Sequence, residues 1–392
     1  MKDKIIAAID RIREELLGIS DYILENPEVA FQEYKAVDCL TKQLESDGFI
    51  VEKGLGSLPT AFRATYEQGT GGPSIGLLCE YDALPGIGHA CAHHMQGACM
   101  VGAAKTIKDA GISQPYKLVV YGTPAEEGGG GKITMLKEGY FRDIDLALMM
   151  HGGPATQTDV KSLAAATLEV TFQGKSAHAA LKPDQGRSAL DALLLTFQGV
   201  EFLREHVKED TRMHYTVLNA GGPANVVPEK AVGSFSLRSY NSDYLKTVMQ
   251  RFEKIVEGAS LMTETSSMID CKKTLESKVP VHLLNDILMK NAEGIDAPVR
   301  RPSREKTGST DFGNVTYELP GACIRIAFVD ENVSSHSQEF LDGAKTERGR
   351  DAVIIAAKIV ALTVYDLIEN NDYVTGIKDE FQNAKAAMQK QR

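Results

Sequence analysis

Apolar and polar positions follow two patterns along the first part of the chain, one typical of helices and one typical of strands. Over residues 5–24 the apolar side chains recur every three or four positions, which predicts a helix. Asn26 and Pro27 end it, because the residue before a proline avoids helical geometry. A second helix is predicted at 32–46, and three short strands follow at 49–52, 61–66 and 74–79.

Strands and helices then alternate. A helix is predicted at 96–108, and strands at 117–121 and 146–150. This order is typical of an α/β domain with a largely parallel sheet. Helical patterns return at 281–294 and 344–368, and we expect the polar tail after Asn370 to fray.

The middle of the chain has a different order of predicted strands and helices. It contains predicted strands at 168–172, 215–219, 231–239 and 268–272 and helices at 186–206 and 242–258. The order β-α-β-β-α-β is typical of a small ferredoxin-like α+β unit. We therefore predict a domain at 165–273 that is inserted between two halves, 1–164 and 274–392, of a larger one.

Composition narrows the class of protein. The 392 residues carry a net charge of −10, which disfavours a general nucleic-acid binder. No apolar run approaches the roughly 18–20 residues of a membrane span, and the amino terminus lacks the apolar core of a signal peptide. Six cysteines in a chain of this length do not indicate a disulfide framework. We expect a cytoplasmic protein with neither membrane nor nucleic acid as partner.

Candidate metal ligands cluster in one loop that follows an apolar strand. His89, Cys91, His93 and His94 lie within six positions. Cysteine and histidine bind borderline-soft divalent ions. Ligand sites in α/β sheets lie beyond the carboxyl ends of the strands, so the position of this loop favours a site.

Three further segments place polar groups after apolar strands or in loops. Glu126 and Glu127 follow the strand at 117–121 and precede four glycines. One carboxylate could bind a metal ion while the other acts as general base. His151 ends an apolar strand, and His336 lies in a polar loop before the last long helix. Together with the cysteine–histidine loop, these residues predict a two-metal hydrolytic site. The alternative is a cysteine hydrolase that uses Cys91 and a neighbouring histidine, but it explains neither the glutamate pair nor the remote histidines.

Short motifs along nearly the whole chain resemble those of metallopeptidase family twenty. The similar subgroup contains aminoacylases, hippurate hydrolases, auxin-conjugate amidohydrolases and p-aminobenzoyl-glutamate hydrolases. The motifs are Asn26-Pro27-Glu28, Phe31-Gln32-Glu33, Glu80-Tyr81-Asp82-Ala83-Leu84-Pro85, His89-Ala90-Cys91, Pro124-Ala125-Glu126-Glu127-Gly128, Met150-His151, Gly174-Lys175-Ser176-Ala177-His178-Ala179-Ala180, Asn225-Val226-Val227-Pro228, Arg238-Ser239, Ser309-Thr310-Asp311-Phe312-Gly313 and His336-Ser337-Gln338-Glu339-Phe340.

The resemblance implies a fold and an activity. The fold would be a zinc-exopeptidase-like catalytic domain with a mixed, mostly parallel sheet, and residues 165–273 would form a lid and dimerisation domain. The activity would be that of a metal-dependent amidohydrolase, carboxypeptidase- or dipeptidase-like. It would use a metal-activated water to cleave an N-acyl amino acid, an aminobenzoyl-glutamate-like compound or a dipeptide. The resemblance also implies a homodimer and two divalent ions per subunit, which would be zinc, manganese or cobalt.

The resemblance also implies residue roles. Glu126 would be the general base, and Asp82 would orient a ligand. His178 of the partner subunit would stabilise the oxyanion, while Asn225 and Arg238 would face the substrate. The metal ligands would be Cys91, His93, Glu127, His151 and His336.

One segment departs from the family pattern. The family reads Cys-Gly-His followed by Asp or Asn, whereas this chain reads Cys91-Ala92-His93-His94. Ala92 adds a methyl group and restricts φ. His94 could act as an additional ligand, change the metal preference or weaken the site. The alternative hypothesis is therefore a non-catalytic or metal-impaired relative that acts as a ligand-binding or partner subunit.

Overall fold

A computed structural model of the protein describes residues 1–391. The helices are α1 (Lys2–Arg11), α2 (Arg13–Glu25), α3 (Tyr34–Ser46), α4 (His94–Asp109), α5 (Gly131–Lys137), α6 (Ala189–Arg204), α7 (Ser242–Thr263), α8 (His282–Gly294), α9 (Phe312–Glu318), α10 (Gln338–Ala344), α11 (Glu347–Glu369) and α12 (Asn371–Lys390). The strands are β1 (Ile50–Leu55), β2 (Leu58–Gln68), β3 (Ser74–Cys79), β4 (Tyr116–Gly122), β5 (Leu146–Gly153), β6 (Gln157–Ser162), β7 (Ala164–Gln173), β8 (Arg212–Asn219), β9 (Lys230–Ser239), β10 (Ser266–Leu275), β11 (Arg304–Thr307) and β12 (Gly321–Ala327).

The chain divides into two compact units. The first contains Met1–Lys161 and Lys278–Lys385, and the second contains Ser162–Ser277 together with the C-terminal residues from 386. The sequence analysis placed the boundaries at 164/165 and 273/274 and assigned all of 274–392 to the first domain.

The first unit contains a mixed eight-stranded sheet in the order β1-β2-β4-β3-β5-β12-β6-β11. Its four central strands, β4, β3, β5 and β12, run parallel, whereas β1, β2 and β6 pair antiparallel with their neighbours. Nearly every residue of β3 and β5 is buried, as parallel strands covered on both faces require. The predicted α/β class with a parallel sheet centre is confirmed.

The second unit contains an antiparallel sheet in the order β10-β7-β9-β8. Helices α6 and α7 pack against β7 and β9 and close an apolar core around Phe172, Phe235 and Phe252. The predicted order of strands and helices is therefore confirmed. Strand β8 lies at the sheet edge, and all but one of its residues are exposed.

Several elements differ from the sequence predictions. The tail after Asn370 was expected to fray, but it forms α12, because Val374, Ile377 and Phe381 line one helical face and are buried. The first predicted helix is broken at Ile12, where ψ is 11°. Strands β6, β11 and β12 and the short helices α5, α9 and α10 were not predicted at all. Among the described residues, no helix is long and apolar enough to cross a membrane.

Candidate metal centre

The carboxyl ends of three neighbouring parallel strands carry the candidate ligands. Strand β3 leads into Asp82 and the loop of Cys91, β4 leads into Glu126, and β5 contains His151 near its end. Because β3 lies between β4 and β5 in parallel register, the three strand ends meet at one edge of the sheet. This edge is where ligand sites form in α/β sheets.

Donor atoms converge there in overlapping groups, each with its atoms within 4.8 Å of one another. Cys91, His93 and His151 form one group, and Cys91 also belongs to a second group with Glu127 and His336. The two other groups are His93 with Glu126 and Glu127, and Glu80 with Glu126 and Asp311. The structure thus assembles all five predicted metal ligands, and Cys91 is common to the first two groups.

Cys91 is a buried thiol close to two histidines. Its Sγ atom lies 3.5 Å from Nε2 of His151. Burial is the main cause that raises the pKa of Cys91 to about 12, with His93 acting to lower it and Glu127 acting to raise it. Very little thiolate exists at neutral pH without a bound cation, and the thiolate is the reactive form. The low population of thiolate argues against the cysteine-hydrolase alternative.

His93 is held by the backbone and side chain of Asp82. Its Nδ1 atom lies 3.0 Å from the Asp82 carbonyl oxygen and 3.1 Å from Oδ1. The other carboxylate oxygen of Asp82 accepts a hydrogen bond from the amide of Glu127 at 2.9 Å. One buried carboxylate therefore contacts two candidate ligands, and the role of Asp82 in orienting a ligand stays a prediction. The Nε2 atom of His93 is buried and makes no hydrogen bond.

Glu127 and His336 approach each other from distant parts of the chain. Oε1 of Glu127 lies 3.1 Å from Nε2 of His336 but makes no hydrogen bond. The His336 amide donates to the carbonyl of Ala90 at 2.9 Å, which ties the late loop to the cysteine loop. His336 has φ of 64°, and half of its side chain is exposed.

His151 is arranged to offer Nε2. Its Nδ1 lies 2.8 Å from the Gly152 carbonyl oxygen and 3.2 Å from an Nη1 of Arg325. Burial lowers the pKa of His151 to about 3, and the Arg325 charge contributes. The ring is therefore neutral at physiological pH, the state in which imidazole binds metals.

Glu126 is a partly buried residue whose surroundings favour the protonated carboxyl. Burial raises its pKa to about 8, and the negative charges of Glu80 and Asp311 add to the effect. A pKa near the working pH suits a group that both takes up and releases a proton. The backbone before it is fixed by Ala125, which has φ of 61° and whose amide donates to Oε1 of the buried Glu33 at 2.9 Å.

The donor set fits divalent ions. Nε2 of His93 and Oε1 of Glu127 are buried without a hydrogen bond, and such atoms are costly to bury unless a ligand satisfies them. Thiolate, imidazole and carboxylate together suit zinc, cobalt or manganese. Two groups that share one sulfur match the mixed ligands of two-metal hydrolytic centres.

Comparison with known proteins identifies the family. Residues 161–262 match the peptidase dimerisation domain. The chain is 30% identical to the Xaa-Arg dipeptidase of Mus musculus, over 97% of this chain and 92% of the relative. It is also 30% identical to one of the subunits of p-aminobenzoyl-glutamate hydrolase from Escherichia coli K12, over 96% and 93%. The chain belongs to metallopeptidase family M20.

Two solved structures share the fold. A dinuclear metal-binding peptidase from Bacillus subtilis has a TM-score of 0.73 at 17% identity, over 92% of this chain and 99% of the other. The aminobenzoyl-glutamate utilization protein of Klebsiella pneumoniae has a TM-score of 0.69 at 18% identity, over 91% and 97%. The relatives of 30% identity confirm the resemblance to family twenty, and the protein is a metal-dependent amidohydrolase.

The structure shows how Ala92 and His94, which depart from the M20 pattern, are placed. Ala92 is completely buried with φ of 61°, so an alanine adopts the left-handed conformation that glycine would adopt without strain. His94 begins α4, is buried, and packs its ring 5.5 Å from that of His89. Among the described residues, His94 belongs to none of the donor groups.

Several residues at the site were not singled out by the sequence analysis. Glu80 and Asp311 form a donor group with Glu126, and Lys132 pairs with both. The sequence did contain a feature that could have identified two of these residues. Glu80 directly follows an apolar strand, and Asp311 lies in a recognised motif. Arg325 had no such signal, because it lies within a strand that the pattern did not predict.

The three remaining predicted residues lie in the second unit, and all are exposed. His178 forms an isolated bridge with Val226, and the Ala179 amide donates to the Asn225 carbonyl at 3.0 Å. His178 and Asn225 therefore lie on adjacent loop segments. Arg238 lies on β9, and its Nε donates to Oγ of Ser236 at 3.3 Å.

Proposed function

We propose that this M20 enzyme hydrolyses the amide bond between an acyl group and an amino acid. Its substrate would be an N-acyl amino acid, an aminobenzoyl-glutamate-like compound or a dipeptide. The names of the mouse and Escherichia coli relatives support an amide-linked amino acid as the substrate class. The observation that carries the proposal is the position of Glu126 beside two donor groups that share Cys91.

The five ligands divide between two ions in this proposal. His93 and His151 would hold one ion, Glu127 and His336 would hold the other, and Cys91 would serve both. When bound, such ions polarise a carbonyl group and lower the pKa of water. The sulfur and nitrogen donors suit zinc and cobalt, and the carboxylate also suits manganese.

Glu126 moves the proton. Its carboxylate takes a proton from the attacking water and later gives it to the nitrogen of the leaving amine. Its pKa of about 8 supports both steps, because neither protonation state is strongly disfavoured near neutral pH. Asp82 keeps the ring of His93 and the backbone of Glu127 in place meanwhile.

A homodimer formed by the second unit is part of the proposal. The exposed edge strand β8 carries Tyr215 and Val217, and α6 beside it exposes 71% of Phe202. An unpaired strand edge next to exposed apolar side chains is typical of a protein interface. The match of residues 161–262 to the peptidase dimerisation domain supports a second copy of this chain as the occupant.

Substrate groups would be bound by the second unit. His178 of the partner subunit would donate to the developing oxyanion, since such a donor supplies much of the stabilisation in acyl transfer. Arg238 would bind a substrate carboxylate through its planar fork, and Asn225 would add a polar contact. The exposure of all three side chains supports a role in contacts outside their own unit. The cytoplasmic location stays a prediction.

The test is a hydrolysis assay on purified protein. A panel of N-acyl amino acids, aminobenzoyl-glutamate and dipeptides is tested with added zinc, manganese or cobalt. We expect release of the free amino acid that a chelator abolishes and metal restores. The Glu126→Gln protein is the control for contaminating hydrolases. If the metal-loaded wild type binds these compounds but never cleaves them, the non-catalytic alternative is correct.

A further inference from the structure

A completely buried ammonium group lies between two buried carboxylates beside the metal centre. Nζ of Lys132 is 2.6 Å from Oε1 of Glu80 and 2.7 Å from Oδ1 of Asp311. The backbone amide of Lys132 also donates to Oδ2 of Asp311 at 3.2 Å. Lysine is rarely buried completely unless it is paired, so these contacts explain its position.

The local backbone is built to bring this lysine inside. Gly130 has φ of 72°, a conformation that glycine adopts without strain. A Cβ atom on Gly131 would lie only 2.1 Å from the carbonyl oxygen of Pro124, so a side chain there would force the loop outward. Lys132 also lies in the first turn of α5, where a positive charge is unfavourable for the helix dipole. Helix electrostatics therefore does not account for a lysine here, whereas the two carboxylates do.

The same carboxylates connect the lysine to the proposed proton carrier. Oxygen atoms of Glu80, Glu126 and Asp311 lie within 4.8 Å of one another. Burial acts to lower the pKa of Lys132, yet Asp311 and Glu80 raise it above its usual value. Lys132 is therefore charged, and its charge adjoins Glu126.

Glu80 also reaches the candidate metal ligands. Its Oε2 atom accepts a hydrogen bond from Nε2 of Gln96 at 2.7 Å and lies 3.1 Å from Nε2 of His93. A carboxylate so close to His93 would itself be available to a cation if Lys132 did not hold its other oxygen.

We propose that Lys132 is a positioning residue that acts as a built-in cation in the carboxylate cluster formed by Glu80, Glu126 and Asp311. It neutralises the charges of Glu80 and Asp311, so that this cluster takes up no further divalent ion, and it holds Glu126 in place for proton transfer. This inference rests on the proposed function of Glu126, but its effect on cation binding does not depend on turnover.

The physical basis is charge balance in a space largely shielded from solvent. Three carboxylates whose oxygens lie within 4.8 Å of one another repel strongly there, and such clusters take up protons or cations. Hard divalent ions bind clusters of carboxylate oxygens. Removing the ammonium should therefore open this cluster to a further divalent ion.

The experiment compares Lys132→Met with Lys137→Met, which removes an exposed lysine from the same helix. Each protein is dialysed against excess manganese, and its bound ions are counted. We expect about two ions per subunit in the wild type and in Lys137→Met, and about three in Lys132→Met. We also expect kcat of Lys132→Met to fall at least roughly 100-fold while KM changes by less than about threefold. An unchanged ion count in Lys132→Met overturns the proposal, even if kcat falls.

A second pair of variants covers the case in which Lys132→Met does not fold. The double variant Lys132→Met/Asp311→Asn removes the positive and the negative charge of one contact. It is compared with the single variant Asp311→Asn. We expect kcat of the double variant to be at least about tenfold lower than that of Asp311→Asn at similar KM. Equal kcat values overturn the proposal. A wild type that binds metal without hydrolysing any substrate contradicts the proposed function alone, because the difference in ion count between wild type and Lys132→Met is still measured.

Discussion

The Oδ1 atom of Asp82 lies 3.1 Å from Nδ1 of His93, and this contact determines which ring nitrogen is available to a metal ion. The carboxylate accepts a hydrogen bond from Nδ1–H, so Nε2 carries the lone pair when the ring is neutral. Nε2 is the atom that is buried without a hydrogen bond. The second oxygen of Asp82 fixes the amide of Glu127, so one side chain aligns ligands on two different strand ends.

Metal binding should release protons. Burial raises the pKa of Cys91 to about 12. Burial acts to lower the pKa of His93, but Cys91 and Glu80 hold it well above 6.5. Both groups therefore carry a proton at pH 7 and must lose it to bind an ion. We expect about two protons released per subunit and an affinity that rises with pH between about 6 and 8. Calorimetric titration in buffers of different ionisation enthalpy measures the number. No proton release would contradict the assignment of these two ligands.

The two adjacent glutamates should separate by function. Glu126→Gln should retain its metal ions and lose roughly two to four orders of magnitude in kcat, because it removes the proton carrier. Glu127→Gln should lose metal as well as activity, since it removes a charged ligand beside His336. Metal analysis together with steady-state kinetics makes the comparison. The opposite pattern would mean that the roles are reversed.

The left-handed alanine at the centre of the ligand loop should tolerate glycine. Ala92→Gly relieves a positive φ, worth about 1 kcal/mol, and loses one buried methyl, worth about 0.8 kcal/mol. We therefore expect the free energy of unfolding to stay within about 1 kcal/mol of wild type. The control is Ala98→Gly in α4, equally buried but helical, which should cost about 2 kcal/mol. Denaturant unfolding measures both, and equal losses would show that the strain is negligible.

Subunit exchange should reveal whether His178 acts across a dimer. His178→Ala and Glu126→Gln proteins should each be nearly inactive. After mixing, half of the dimers are hybrid, and each hybrid contains one site with both residues intact, so activity should approach about a quarter of wild type. Exchange is verified by mass spectrometry of differently tagged subunits. Proven exchange without recovered activity would show that His178 does not act across the interface.

The sequence allowed the strand-end residues to be predicted because the signal is local. An apolar run followed by Glu126 or His151 identifies both the strand and the group at its end. The second unit was predicted for the same reason, since its alternating strands and amphipathic helices repeat over short windows. Helix α12 was missed although Val374, Ile377 and Phe381 recur at helical spacing, because most of its other residues are polar.

Contacts between distant positions could not be predicted in this way. Lys132 and Asp311 are 179 positions apart, and no periodic pattern relates them. A lysine after four glycines is typical of an exposed loop, so its burial follows only from the assembled sheet and loops. The pairing of Arg325 with Asp159 and its approach to His151 are of the same kind.

The ligands come from four separate segments, and the last of them lies 245 positions after the first. A ribosome therefore synthesises most of the polypeptide before all ligands of the two-metal site are present. Chains that stop early would retain at most a partial ligand set and would lose the stabilisation that captured ions give to a folded protein. Metal retention would thus mark molecules in which all four segments are present and folded.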